Sequence, residues 1–192
     1  MLTRRFEEAL VYATRLHADQ TRKGSAVPYI SHLMAVAALT LEYGGGEDEA
    51  IAALLHDAVE DQGGAETRAE IARLFGPRIA AIVDGCTDTD EHPKPPWRSR
   101  KEAYVNHLRT APPAVRLVSA CDKLHNARSL AKDYRACGES LWDRFSGGRD
   151  GTLWYYRAIV QALRCSDDGS LLIEELDRAV TELEALADGA AL

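Results

Sequence analysis

The segment AALLHDAVED, residues 52–61, constrains the fold more than any other stretch of this chain. Its first four residues are apolar enough to require a core. Without a break they run into His56, Asp57, Glu60 and Asp61. Burying an unpaired charge is costly, and like charges side by side are worse. On a helix, residues four apart are neighbours, with Cβ atoms roughly 5–6 Å apart. His56 is therefore expected over Glu60, and Asp57 over Asp61. One helical end would gather a nitrogen ligand and three carboxylates, and a divalent cation would resolve their repulsion.

The rest of the chain must supply a helical frame for that segment. Phe6, Leu10, Ala13 and Leu16 recur at helical spacing. Gly24 and Pro28 break the pattern and make 21–29 a loop. Helices are expected over 31–42, 47–61, 66–75, 77–86, 98–110, 113–134, 152–165 and 171–187. Pro113 suits a first helical turn. Residues 88–96 read as a polar loop, and FSGGRDG, residues 145–151, as a mobile one. No internal repeat, low-complexity tract or convincing strand is present. The fold class is all-α, a compact multi-helix bundle with no significant sheet.

A chain of 192 residues suggests one domain, and it can bury a core without disulfides or metals. Any metal is then expected to serve chemistry. Lys and Arg total 23 against 30 Asp and Glu, a net charge of -7. That balance argues against a nucleic-acid partner, which needs a basic face, but leaves room for a local basic pocket and a small phosphorylated ligand. Cys86, Cys121, Cys137 and Cys165 are scattered with no CxxC pair, which fits a reduced, cytoplasmic protein. The N-terminus meets charge too early for a signal peptide, and no apolar run reaches the length of a membrane span.

Two further residues could complete a metal site. His32 opens the helix before the AALLHDAVED segment, and Asp122 sits mid-helix among Leu117, Val118 and Leu124. With His56 and Asp57 they give two imidazoles and two carboxylates. Such a set suits Mn²⁺, Fe²⁺ or Zn²⁺ better than Ca²⁺. Each residue has a plainer reading. His32 could cap a helix or fill the core, Asp122 could pair with Lys123, Arg116 or Arg128, and Glu60 and Asp61 could be a solvated helix end. Together, His…His-Asp…Asp on successive helices is a much rarer coincidence.

The stretches RKGSAVPYISH, LLHDAVED and ACDKLHNARSL resemble the H…HD…D signature of the HD-domain phosphohydrolases. The closer resemblance is to the hydrolase domain of the RelA/SpoT homologues, specifically the small alarmone hydrolases. It implies an HD-type bundle over residues 1–165. Residues 166–192 lie beyond the resemblance and read as a helical appendage that either covers the domain or pairs with another copy. It implies that His32, His56, Asp57 and Asp122 hold one metal ion, usually Mn²⁺. Glu60 and Asp61 would position or deprotonate the attacking water. Arg22 and Lys23 would line the nucleotide pocket, Asn126 would reach the ribose, and Tyr155 would match an aromatic of the nucleoside pocket. Cys121 departs from the family pattern, where alanine is common, with no chemical consequence expected.

The implied activity is metal-dependent hydrolysis of guanosine tetra- or pentaphosphate to GDP or GTP and pyrophosphate. With no synthetase domain following, the chain is expected to degrade alarmone without making it. A cognate alarmone synthetase would be a functional rather than a physical partner. The chemistry agrees with the roles: bound metal lowers the pKa of water to about 7, and basic side chains screen phosphate charge. Two rival readings stay open. One keeps the mechanism and changes the substrate to a nucleoside monophosphate or NADPH. The other is a non-catalytic alarmone-binding or partner-binding protein. Lys94, Arg98, Arg100 and Lys101 around Trp97 read either as an electrostatic gate or as a solvated helix start, and Arg149 could join them.

Overall fold

The computed structural model describes residues 1–89, 93–165 and 170–189. Its helices are α1 (Arg4–Leu16), α2 (Ile30–Glu42), α3 (Glu47–Leu55), α4 (Ala58–Asp61), α5 (Gly64–Phe75), α6 (Pro77–Cys86), α7 (Trp97–Leu108), α8 (Pro113–Cys137), α9 (Gly148–Arg164) and α10 (Leu171–Ala187). A 3-10 segment, Gly138–Arg144, joins α8 to α9. The fold is all-α: among the described residues no strand occurs, only an isolated bridge between Thr21 and Pro28. Part of the expected polar loop, 90–92, and parts of the expected appendage, 166–169 and 190–192, lie outside the described residues. Among the described residues no helix is long and apolar enough to cross a membrane.

The chain divides into two units. The first comprises 1–94 and 111–121, and the second 95–110 and 122–192. In the first unit, α3 is the central element. Glu47, Asp48 and Glu49 in its first turn favour the positive end of the helix dipole. Glu49 also accepts a hydrogen bond from the Gly46 amide, at 3.0 Å. Residues Ala50 to Leu55 are then buried on every side, as a helix wrapped by neighbours must be. α3 packs against α1, α2 and α6. Ile51, Leu54 and Leu55 of α3, Leu33 and Val36 of α2, and Ile79 and Val83 of α6 are all fully buried. Each such aliphatic side chain contributes about 1.5–3 kcal/mol relative to exposure. Gly76, at φ 96°, takes a backbone conformation that L side chains rarely adopt, and Pro77 restarts the chain as α6.

In the second unit, α9 packs against α7, α10 and the 3-10 segment. Helix α10 turns Leu172, Leu176, Val180 and Leu183 inward at helical spacing. Arg157 of α9 reaches Glu184 and Asp177 of α10, its Nε 3.0 Å from Glu184 Oε1. Partly exposed pairs of this kind are worth about 0–1 kcal/mol, so the apolar stripe sets the packing.

The glycine-rich stretch expected to be a mobile loop is ordered differently. Its second half, from Gly148, is the first turn of α9. A Cβ at Gly147 would lie 2.7 Å from the Trp97 ring, and one at Gly151 would lie 3.2 Å from it. These glycines are small because an indole lies against the backbone there, a packing demand that composition reads as a loop signal.

Candidate metal centre

Three donors expected from sequence meet in the first unit. His32 lies in the first turn of α2 and is fully buried. The loop before it is tied back on itself by Arg22 N–H to the Val27 carbonyl, 2.8 Å, and Tyr29 N–H to the Gln20 carbonyl, 2.9 Å. His56 caps the C-terminus of α3, and Asp57 precedes α4. Asp57 Oδ2 lies 3.0 Å from His56 Nε2 and 3.8 Å from His32 Nε2. The two imidazole centroids are 5.3 Å apart, with planes at 72°. One ligand atom from each of the three residues lies within 4.8 Å of the others.

The expected helix over 47–61 is interrupted at this point. In a straight α-helix, adjacent side chains diverge by about 100°. His56 and Asp57 could not then share a target. The backbone at Asp57, with ψ near -1°, unwinds the chain between α3 and α4 and turns both side chains to one place. The hydrogen bond from Asp61 N–H to the Asp57 carbonyl, 3.0 Å, resumes the helix immediately.

The tautomer of His56 follows from its neighbour. Nδ1 is 2.8 Å from the Ala53 carbonyl, which only accepts, so Nδ1 carries the proton. Nε2 then turns a lone pair towards the Asp57 carboxylate. Two acceptors at that distance need a proton or a metal ion between them. The mixed set of two imidazoles and a carboxylate fits a divalent transition metal. Fixing His56 through its far nitrogen is what metal-binding histidines require.

Glu60 and Asp61 follow on α4. Lys94 donates to Glu60 Oε1 at 2.9 Å. Gln20 Nε2 donates to Asp61 Oδ2 at 2.8 Å. Asp61 keeps contact with solvent, yet loss of hydration against the surrounding protein raises its pKa above the usual aspartate value. The charges of Asp57 and Glu60 push the same way, while Gln20 and Lys94 pull it back. Arg22 lies over the Tyr29 ring, 5.8 Å from its centroid, and Lys23 is exposed on the same loop.

The remaining expected residues belong to the second unit. Asp122 on α8 is buried, with Lys123 Nζ at 2.5 Å from Oδ2 and Asn126 Nδ2 donating to Oδ1 at 2.5 Å. Burial opposes the Lys123 ammonium, but the charge of Asp122, with the phenol groups of Tyr155, Tyr104 and Tyr156 acting the same way, outweighs it and holds its pKa well above the lysine range. Tyr155 is buried beneath Lys101, 4.9 Å from its ring centroid. Arg98 stacks on Trp154, its guanidinium carbon 3.3 Å from the centroid. Of the basic cluster, Lys94 thus pairs with a carboxylate, and Arg98 and Lys101 cover aromatic rings.

Sequence reading missed four polar residues beside the centre. Tyr29 donates its hydroxyl to Asp57 Oδ2 at 2.5 Å. His17, Gln20 and Gln62 form a chain ending on Asp61. The available signal was position: His17 and Gln20 follow α1 directly and Gln62 follows the carboxylate pair.

Comparison with known proteins adds an independent line. The family model described as an HD domain matches residues 9–153. A Synechocystis protein named probable guanosine-3′,5′-bis(diphosphate) 3′-pyrophosphohydrolase is 38% identical over 130 residues, which cover 64% of this chain and 16% of that protein. The bifunctional (p)ppGpp synthase/hydrolase SpoT of Escherichia coli K12 is 35% identical over 133 residues, 66% of this chain and 18% of that protein. The chain thus spans less than a fifth of these curated relatives. A solved structure of a metazoan orthologue of SpoT, described as hydrolysing ppGpp, superposes with a TM-score of 0.78 at 27% identity, covering 95% of this chain and 97% of that one.

Proposed function

This chain belongs to the HD-domain family, and on that premise we propose that it is a metal-dependent phosphohydrolase that removes the 3′-pyrophosphate of guanosine tetra- or pentaphosphate. The products are GDP or GTP and pyrophosphate. The observation that carries the reading is the meeting of His32, His56 and Asp57, with two carboxylates one helical turn beyond. The named activities of the SpoT-type relatives supply the substrate class.

His32, His56 and Asp57 would hold the metal, with Mn²⁺ the preferred ion. Asp122, the last member of the H…HD…D signature, is assigned as the fourth ligand on the strength of that motif. Bound there, a divalent cation would supply water of pKa about 7 and absorb phosphoryl charge. The chain's own groups do the rest. Ala53 fixes the His56 tautomer, and Tyr29 holds Asp57. Asp61, whose raised pKa improves it as a base, takes the proton of the attacking water. Glu60, tethered by Lys94, orients that water. The water oxygen bonds to phosphorus, the ester to the ribose 3′ oxygen breaks, and that oxygen gains a proton. Arg22 and Lys23 screen the substrate's charge, while Asn126 and Tyr155 are assigned to its ribose and base.

The free thiols of Cys86, Cys121, Cys137 and Cys165 support a reducing, cytoplasmic setting. Residues 1–165 are assigned as the hydrolase domain, and the packing of α10 on α9 supports a covering role for the segment from 166 onwards.

A product-resolved assay on guanosine tetraphosphate with Mn²⁺ tests the proposal. Pyrophosphate release is expected; orthophosphate release, or binding without product, overturns it. Asp57→Ala should lose both metal and turnover. Glu60→Ala should keep metal and slow turnover, while loss of the base in Asp61→Ala should slow it by roughly 10²–10⁴-fold.

A further inference from the structure

His17, Gln20 and Gln62 lie outside the donor set, and their hydrogen bonds run in one direction. Gln20 Oε1 is 2.6 Å from His17 Nδ1 and 2.7 Å from Gln62 Nε2. Gln20 Nε2 is 2.8 Å from Asp61 Oδ2. An amide oxygen only accepts and an amide nitrogen only donates. Reversing the Gln20 amide would set its nitrogen against that of Gln62 and its oxygen against the Asp61 carboxylate. Both changes replace attraction with repulsion, so the amide is held one way round.

His17 is 2% exposed and contributes the second lock. Its Nε2 is buried and has no hydrogen-bond partner among the described residues. The proton therefore sits on Nδ1, the nitrogen facing Gln20. The same ring stacks on Tyr29, with centroids 5.4 Å apart and planes at 24°. Tyr29 in turn donates to Asp57. One buried imidazole thus braces two neighbours, each of which donates to a different carboxylate of the centre.

We propose that Gln20, oriented by His17 and Gln62, is a positioning residue that aims Asp61 at the attacking water. This rests on the water-activating role given to Asp61 above. A carboxylate that accepts a proton in a reaction must sit within hydrogen-bond reach of it, and an exposed aspartate on a one-turn helix has no such restraint of its own. Gln20 supplies the restraint, from a loop that is itself pinned at both ends.

The test uses the full chain with Mn²⁺ and guanosine tetraphosphate. Gln20→Met keeps the length, loses the donor to Asp61 and adds no charge. Its kcat should fall about 10–100-fold, the usual effect of removing a supporting partner, with KM and Mn²⁺ affinity unchanged. His17→Leu should fall likewise. His17→Asn, whose side-chain nitrogen takes the place of Nδ1, should recover most of the loss. If Gln20→Met no longer melts cooperatively, Gln20→Leu, which also lacks the donor and adds no charge, carries the same expectation. Wild-type kcat in the folded Gln20 variants, with Asp61→Asn inactive, overturns the positioning role and leaves the base assignment standing. Full turnover in Asp61→Asn overturns that assignment itself. Equal losses in His17→Asn and His17→Leu, with KM and metal affinity moving together, mean that the cluster is only scaffolding and also overturn the proposal.

Discussion

Replacing Tyr29 with phenylalanine removes one oxygen atom and one hydrogen bond, the 2.5 Å contact with Asp57 Oδ2. The ring is kept, with its stacking on His17 and its edge contact to His32 at 5.5 Å. The packing cost is therefore small, and the change isolates the hydroxyl. That hydroxyl holds Oδ2 towards the two imidazole nitrogens before any metal arrives; without it the carboxylate must be ordered at the moment of binding. A hydrogen bond to a charged group is worth about 1.5–3 kcal/mol. At about 1.4 kcal/mol per decade this sets a scale of roughly 10- to 140-fold in affinity. Supporting partners of metal ligands typically account for about 10–100-fold, in agreement. The assay is thermal melting with and without saturating Mn²⁺. A ligand that binds only the folded state stabilises it by RT ln(1 + [L]/Kd), so the variant loses about 1.4–2.7 kcal/mol of that increment. At about 2–4 °C per kcal/mol for a chain of this size, the Mn²⁺-dependent rise in Tm should shrink by about 3–11 °C. Comparing increments cancels any effect on the metal-free protein. A rise equal to wild type within about 1 °C refutes the argument that the hydroxyl prepares Asp57. No rise in either protein refutes the metal centre itself.

Three other outcomes are expected. Leu54→Ala empties a fully buried position in α3 and should cost about 2–5 kcal/mol in chemical denaturation; a loss under about 1 kcal/mol would mean that α3 is not the centre of its core. Gly85→Ala would bring a Cβ to 2.5 Å from Val115 Cγ2 and 2.9 Å from Cγ1. Overpacking of a β-branched side chain should lower stability by about 1–3 kcal/mol, and an unchanged melting curve would show that α6 and the first turn of α8 separate freely. Asp61→Asn should stabilise the metal-free protein at neutral pH. The folded state holds the Asp61 proton more tightly than the unfolded chain does, so stability falls as pH rises from about 3.9 through the raised folded pKa. Below that interval both states are protonated and the variant should gain nothing. An Asn variant no more stable at pH 7 than at pH 3, each measured against wild type, contradicts the raised pKa.

Much of this molecule was legible because helical periodicity is a local property. The limits of α6 and α10 follow directly from Pro77 and from the apolar spacing after Ser170. The donors His32, His56 and Asp57 were legible as chemistry, since two imidazoles and a carboxylate beside an apolar run have few inexpensive explanations. What escaped depended on contacts distant in sequence. Periodicity continues α3 smoothly through His56 and Asp57, because both stay in the right-handed helical region and only ψ at Asp57 departs. Gln20 and Gln62 are 42 positions apart, and neither carries a local pattern that marks it as a partner of the other. The interleaving of the two units, with 95–110 joined to 122–192, has no compositional boundary to announce it.

The seat of Trp97 has a consequence for reading variation in sequences of this kind. Its ring occupies the volume that side chains at 147 and 151 would need. A mutation that enlarges Gly147 while the indole stays must shift the ring or the start of α9, and one at Gly151 needs the ring to give by a few tenths of an ångström. A mutation that shrinks the indole alone leaves a void beside bare backbone. The three positions form one steric unit, so neutral drift should carry them together, as a large ring with two hydrogens or as a small side chain with larger neighbours. Exchanging all three at once is the substitution most readily tolerated there, although it alters the most atoms.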